Sequence, residues 1–529
     1  MVPFVPSATV SHPVPPYGKQ SVQFMKKSVG ILSGLAVAIA IAATAGAWYT
    51  GKQLPAELQA SVTRANEELL KATAGTGGSM SLELTSLEQH LYSSTAHYRL
   101  KAKDVWLGEG QALNFDVGIT DQLEHGPFPW SRVKALKLMP VMVSSNSVLD
   151  KDEATAKWYS AAGEQSPITA NVDVGYGGHI DSDVRFAPIK LNEVDGNSVD
   201  FSGMQVLLSG DREGKAVKIH ANADRLQMKL VGADHPPATF TLDKFKVGGN
   251  LASTDHDMVY VGNVDVLLGQ LEAVLGPKQE VMLLKDLEQT NLYTAEGADK
   301  IGARIAYKVG DINYANRAVG SGKMVVTMNS VDVPALQSLA EWYQTKLPEV
   351  QAMQAATAAG EPMPSFNMSE EEKVKVQADL QKMLAAKPKL ALEELSFKTA
   401  NGQSHFKLAL DFAAPSSFDL PPDQLAKQLI SQLNGELLVS KPMVGDLTAL
   451  QALLEGQTDP QAIAQQSSQA GEMLGMMALQ SGMATVKGDD VVSNLHYADG
   501  MVDFNGKKMT VEEFAMIFAA HLAALSPQG

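Results

Sequence analysis

The chain has no cysteine among its 529 residues. Disulfides, thiolate zinc sites, iron–sulfur clusters and cysteine nucleophiles are therefore excluded together. That absence is compatible with an oxidising compartment without fixing one. Positive charge is also in short supply: 43 Lys and Arg face 59 Asp and Glu, a net charge of −16. Such a surface disfavours nucleic acid and anionic lipid as partners of the whole molecule, because both reward basic patches. An apolar lipid site is left open. Aromatic residues make up only 6%, whereas Met is frequent at 23. Methionine supplies adaptable apolar surface, in a core or in a promiscuous groove.

Catalytic signatures are missing as well. The 11 histidines are scattered, with no H-E-x-x-H and no paired metal spacing. No G-x-S-x-G occurs. Gly320-Ser321-Gly322-Lys323 is a fragment of a P-loop, but Arg317 stands where the first Gly belongs and Met324 replaces Ser or Thr. A hairpin turn explains it better. Asp173, Asp181 and Asp183 surround Gly175–Gly178, yet the twelve-position calcium-loop spacing and its closing Glu are absent. A solvated turn is the plainer reading. No metal, cofactor or catalytic residue is expected, and the chain is read as non-enzymatic.

What is present begins with one long uncharged run, Ser28 to Tyr49, which follows Lys26-Lys27 and ends in Trp48-Tyr49. At about 1.5 Å per helical residue it matches the ~30 Å hydrocarbon core of a bilayer. Its apolar residues Ile31, Leu32, Leu35, Val37, Ile39 and Ile41 show no amphipathic stripe, and Trp48 and Tyr49 suit an interface. Ala43-Thr44-Ala45 offers a signal-peptidase pattern, but the apolar run continues past it. A retained transmembrane anchor is the preferred reading, with cleavage as the alternative. Lys19, Lys26 and Lys27 precede the run, so the N-terminus is expected in the cytoplasm and the bulk in the periplasm. Residues 1–27 read as a disordered tail, of which the first 24 have the look of an upstream start.

Beyond the anchor, alternation with period two dominates. In His97–Lys103, Tyr98, Leu100 and Ala102 share one face while Arg99, Lys101 and Lys103 share the other. Leu395 to Phe412 reads as a hairpin turning at Asn401-Gly402, a pair suited to positive φ. Strand pairs also flank Asp195-Gly196 and Asp499-Gly500. Helices are expected over Leu54–Lys71, after the capping box Ser369–Glu372, over Pro421–Leu433, over Asp459–Met483, and after the capping box Thr510–Glu513. Asp332–Glu341 resembles Asp446–Glu455, each following a strand-like run, and suggests a strand-then-helix repeat in which the Asp caps the helix. The Lys507–Met509 approach to Thr510 reads as a degenerate third copy, with the alternative that any strand running into a capped helix looks alike.

These spacings predict an α+β chain. An N-terminal transmembrane helix at 28–49 precedes an elongated, mainly antiparallel β-sheet ectodomain with packed helices. A β-rich region spans 50–350, an Ala-, Met- and Pro-rich linker 351–368, and an α+β region 369–529. One loop stands out, His125-Gly126-Pro127-Phe128-Pro129. Its glycine and prolines make a rigid turn that could face a partner, although a plain chain reversal is the commoner use.

Several of these segments resemble the YdgA-like family of bacterial envelope proteins. They are Gly46–Lys52 after the anchor, His125–Pro129, Asp211–Lys215, Tyr497–Gly500 and Met509–Phe514, in order along the chain. The resemblance implies an inner-membrane protein with a periplasmic ectodomain capable of self-association, and no established reaction. Two functions follow as expectations. One is envelope maintenance, with lipid acyl chains held in an apolar β-groove, by fold-level analogy with other tethered envelope proteins. The other is a homo-oligomeric scaffold that binds envelope proteins through edge strands.

Overall fold

The computed structural model describes residues 54–73, 77–105, 112–193, 196–211, 214–232, 235–257, 259–359 and 367–525. The expected anchor at 28–49 and the tail before it lie outside the described residues. Among the described residues no helix is long and apolar enough to cross a membrane.

A helix, α1 (Leu54–Thr73), leads into six strands: β1 (Ser79–Gln89), β2 (Ser93–Val105), β3 (Leu113–His125), β4 (Val143–Leu149), β5 (Ile168–Val174) and β6 (His179–Phe186). Short helices α2 (Trp130–Lys134) and α3 (Ala156–Ala161) sit in the β3–β4 and β4–β5 connections. A small hairpin, β7 (Ile189–Asn192) and β8 (Ser198–Phe201), interrupts the run before β9 (Met204–Asp211). Six long strands follow: β10 (Ala216–Gly232), β11 (His235–Ser253), β12 (Tyr260–Leu275), β13 (Glu280–Ala295), β14 (Lys300–Tyr314) and β15 (Arg317–Asp332). Helices α4 (Val333–Ala359) and α5 (Glu370–Ala385) separate them from β16 (Lys389–Lys398) and β17 (Gln403–Phe412). The chain closes with α6 (Pro422–Leu429), β18 (Ile430–Ser440), α7 (Lys441–Leu454), α8 (Pro460–Ser481), β19 (Thr485–Lys487), β20 (Asp490–Ala498), β21 (Met501–Phe504), β22 (Lys507–Thr510) and α9 (Val511–Leu525).

All strand pairs are antiparallel, and almost every strand pairs with the next one in sequence. The exceptions bridge the two insertions: β6 pairs with β9, β8 with β10 beyond the end of β9, and β18 with β20. The result is one continuous meander, as the alternating pattern predicts. Residues directly opposite in a ladder share a face, so the pairings trace one row across the sheet. It runs Leu87, Ala96, Asp121, Ser147, Ala170 and Val184 through the first six strands. It continues through Val206, Ala221, Val247, Val266, Gln289, Tyr307 and Met324. Leu395, Phe406 and Leu437 complete it before Ser493. The opposite face carries the ion pairs Lys308–Glu288, Lys323–Glu394, Lys389–Asp411 and Lys407–Glu436. Exposed pairs of this kind add solubility more than stability.

The apolar face is covered unevenly. At its N-terminal end α1 lies on it, and Leu58, Val62, Ala65 and Leu69 pack with Leu82, Tyr98, Leu100, Val117, Ile119 and Leu123 into the main buried cluster. Full burial of each Leu or Ile is worth roughly 1.5–3 kcal/mol. Asn66 of α1 pairs its amide with both backbone groups of Leu82, at 2.7 and 2.9 Å, and so occupies part of the free edge of β1. At the C-terminal end Phe514 of α9 packs with Tyr497, Val502 and Phe504, its ring edge-on to Phe504 at 5.3 Å. Helices α4, α5 and α7 reach β15, where Val325 and Thr327 of the opposite face are buried.

Several local expectations change. The Asn401-Gly402 hairpin forms, but neither residue takes positive φ. Its loop is longer, with Thr399 N–H donating to Gly402 C=O, and the Asp446 carboxylate accepts from Asn401 N–H, Asn401 Nδ2 and Thr399 Oγ1. Glycine is needed at 402 for space: a Cβ there would lie 2.2 Å from Ser440 Oγ. Asp446 is thus a mid-helix residue of α7, whose N-cap is Ser440, whereas Asp332 does cap α4 through Ala335 N–H. The strand-then-helix unit recurs at β15–α4, β18–α7 and β22–α9, without the register the sequence match implies. Gly320–Lys323 lies within β15; the turn before it uses Ala315 and Asn316 at φ 48° and 61°. Helix α4 runs on to Ala359, into the stretch read as linker, because the Ala, Gln and Met residues of 351–359 are strong helix formers and that stretch has no proline before Pro362. The expected 421–433 helix stops at Leu429, where Ile430 enters the ladder with Phe412.

Candidate functional site

The feature with the most chemical content is the part of the apolar face that no helix covers. Across β10–β14 the helices have no main packing partner, and the apolar side chains are half-buried by one another. On this face lie Ile219, Phe240, Phe245, Val264, Leu268, Leu271, Ile305 and Val309, flanking the row traced above. With strands ~4.8 Å apart, the stretch from β10 to β18 is about 40 Å long. Tyr307, Leu395 and Leu437 are 40%, 45% and 38% exposed, which is unusual for large side chains on the inward face of a sheet.

One backbone device keeps this face apolar along strands too long for simple alternation to persist. Lys244 and Asp286 take φ of 60° and 50° in mid-strand. Each drops out of its ladder together with the glycine opposite, Gly269 and Gly310. The left-handed residue reverses the alternation, so Phe240 and Leu242 are followed by Phe245 and Val247, and Val266 and Leu268 by Leu271 and Ala273. The glycines make room: a Cβ on Gly269 or Gly310 would sit 3.0 Å from the Cβ of Lys244 or Asp286. A crease therefore crosses the sheet, and apolar residues stay on one side of it.

Two open depressions lie on the apolar face. One, of about 520 Å3, spans β14–β18 and is lined by Tyr307, Val309, Met324, Leu395, Phe397, Phe406 and Leu437. The other, of about 460 Å3, is lined by Val217, Leu251, Val261, Gly262 and Tyr293. Both are shallow, with few polar groups on the apolar side. The polar island between them is Gln289 and Asn291, which bond to each other and to Val264 C=O. Such largely apolar walls can hold flexible apolar chains.

The sequence-derived candidates are dispersed. His125 ends β3; its Nε2 lies 2.9 Å from Ser94 Oγ, and burial lowers its pKa. Ser94 is only 2% exposed, so the pair is a structural hydrogen bond rather than an accessible nucleophile. Gly126 takes φ 98°, Pro127 C=O accepts from Val141 N–H, Phe128 is exposed and Pro129 opens α2. Glu124 accepts from Ser131 N–H and Oγ, fixing that first turn. The three aspartates go to separate partners: Asp173 to Arg132 and Ser144, Asp181 to His179, and Asp183 to Arg185 and Gln205. Among the described residues no group of three metal-ligating side chains forms. The methionines of α8 do not line the depressions; Met473, Met476 and Met477 are exposed, while Gly471, Gly475 and Ala478 face inward.

Sequence reasoning missed a buried acid. Asp121 lies in the apolar row under α1, completely buried, with Oδ1 accepting from Ser145 Oγ at 2.6 Å and Oδ2 unpartnered. Burial pushes its pKa up to about 6, and the Ser145 and Ser147 hydroxyls pull the other way. Tyr98 Oη, Ser147 Oγ and Ser182 Oγ, on the same face, are also buried without partners. Burial, and then Asp121, raise the Tyr98 phenol strongly. The signal was available, since in Val117-Gly118-Ile119-Thr120-Asp121-Gln122-Leu123 the acid occupies an inward position. The group is sealed, with no depression leading to it among those described.

A family model described as "Bacterial protein of unknown function (DUF945)" matches residues 25–512. Protein YdgA of Escherichia coli K12 is 27% identical over 510 residues, covering 94% of this chain and 97% of that one. The uncharacterized protein YihF of the same organism is 22% identical over 492 residues, covering 91% and 97%. An uncharacterized protein of Haemophilus influenzae is 24% identical over 327 residues, covering 60% and 85%. No solved structure matches the chain significantly.

Proposed function

The chain belongs to this DUF945 family of bacterial proteins, and we propose that it is a non-enzymatic, membrane-anchored periplasmic protein of envelope maintenance that holds lipid acyl chains on its open apolar face. The anchor is the 28–49 segment, crossing the inner membrane once with the N-terminus in the cytoplasm. The observation that carries the reading is the uncovered row through Val247, Val266, Tyr307, Met324, Leu395, Phe406 and Leu437. Its length of about 40 Å exceeds the ~15 Å depth of one hydrocarbon leaflet, so a chain could lie along it fully out of water. Exposed contiguous apolar surface of this size marks a ligand or partner site.

The test is in-cell photocross-linking of the full chain with a benzophenone amino acid at Tyr307 or Leu395, and at Lys308 or Lys407 on the opposite face. Phospholipid adducts by mass spectrometry at the first pair alone are the expected result. Adducts to a second copy of the chain at Tyr307, with no lipid at any position, would replace this reading with the scaffold one. The exposed Met473, Met476, Met477 and Leu479 of α8 favour that second reading, as a surface for another envelope protein.

A further inference from the structure

A second apolar surface lies at one end of the N-terminal strands, away from the open face. Leu91 and Tyr92, in the β1–β2 turn, are 83% and 75% exposed. Phe128, Trp130, Leu138 and Met139, in the β3–β4 connection, are 60–77% exposed. Hydrogen bonds bring these loops together: His125 N–H donates to Tyr92 C=O, Gly126 N–H to Met142 C=O, and Met142 N–H to Val174 C=O. Tyr176, 60% exposed, belongs to the next turn along the same rim. The loop is held firmly, with Arg132 bound both to the Asp173 carboxylate and to Met139 C=O. Its exposed side chains therefore do not reflect a slack segment. Lys134 lies 5.5 Å over the Trp130 ring, and Lys137 stands between the apolar residues. Aromatic rings with neighbouring lysines are the composition of a membrane interface, where rings sit at headgroup depth and ammonium groups reach phosphate.

The course of α1 selects the bilayer as occupant. Five residues join Thr73 to Ser79, and Asn66 is bonded to Leu82. The helix therefore returns antiparallel to β1. From Asn66 back to Leu54 it climbs about 18 Å. From Leu82 to Gln89 the strand climbs about 23 Å. The first turn of α1 thus lies level with the end of β1 that carries Leu91 and Tyr92. The anchored reading ends the membrane segment at Tyr49, leaving four residues before Leu54, a tether of at most about 18 Å.

We infer that the rim carrying Leu91, Tyr92, Phe128, Trp130, Leu138 and Met139 rests in the interfacial layer of the membrane that holds the anchor. The rim then fixes the orientation of the sheet relative to the bilayer. The inference rests on the anchored reading and is independent of what the open face binds.

The absence of native cysteine makes the test direct. A single Leu138→Cys, labelled with an environment-sensitive dye, is placed in the full chain reconstituted into phosphatidylethanolamine–phosphatidylglycerol vesicles. Glu153→Cys, exposed on the opposite rim, is the control. The expected result is blue-shifted emission at 138, most of it lost when the acyl chains are brominated, with neither change at 153. Emission at 138 as wet and unquenched as at 153, from protein that resists alkaline extraction, overturns the inference while sparing the anchor. Blue-shifted but unquenched emission means a protein partner and also overturns it. Release of the chain by alkaline extraction removes the anchored reading and the inference together.

Discussion

Replacing Asp121 by Asn isolates the cost of burying one carboxylate in an apolar row. The Asp121 pKa is raised from 3.8 to about 6 in the folded chain. At 1.36 kcal/mol per unit, that shift corresponds to about 3 kcal/mol. The folded state holds the proton more tightly than the unfolded state. Stability is therefore fully present below about pH 4, falls as pH rises towards 6, and is level above it. Asn keeps the size and the acceptor for Ser145 Oγ and adds a donor that Ser147 Oγ, directly across the ladder, can accept. Asp121→Asn is thus expected to leave stability nearly unchanged at pH 4 and to raise it by up to about 3 kcal/mol at pH 7.5. Hydrogen exchange of the β3 and β4 amides reads this as protection rising by up to about 100-fold at pH 7.5, against wild type at the same pH. Equal protection at both pH values, or a variant less protected at pH 7.5, would refute the reasoning.

Leu100→Ala, at a fully buried position in the main cluster, should cost about 2–5 kcal/mol by urea unfolding followed at Trp158, which packs against that cluster. Asp446→Ala strips three hydrogen bonds from the 399–402 loop. It should cost about 1–3 kcal/mol, seen as faster exchange at the β16–β17 tip while β1–β6 are unaffected. Gly310→Ala sets a methyl against Asp286 in the crease and should cost about 1–3 kcal/mol. A neutral outcome by thermal unfolding would mean that the strands separate freely there.

Much of the architecture was legible because alternation is a direct record of which face is buried. Tyr98, Leu100 and Ala102 are inward as their spacing requires, and both capping boxes form, Ser369 with Glu372 and Thr510 with Glu513. Asp499-Gly500 turns with both φ positive, at 51° and 77°. The Asn401-Gly402 turn escaped because a carboxylate from α7, distant in sequence, supplies what positive φ would otherwise supply. The long strands were harder for a different reason. A left-handed Lys244 or Asp286 shifts the alternation by one, so each strand reads as two short ones. The open face itself could be anticipated only as a sheet needing a cover. Which part of it α1 and α9 leave bare is a matter of tertiary packing that no single segment records.

The pairing of each long strand from β10 to β15 with its successor also sets how this sheet can be built and resized. From β10 to β15 no long chain excursion must close before a strand finds its partner. β10 to β15 can therefore add to the growing edge in the order in which they leave a ribosome or a translocation pore. Each added hairpin lengthens the sheet by two strand spacings, about 10 Å, and creates no new topology. Length is thus a quantity that duplication or loss of one hairpin can change in steps, while the two covered ends stay as they are.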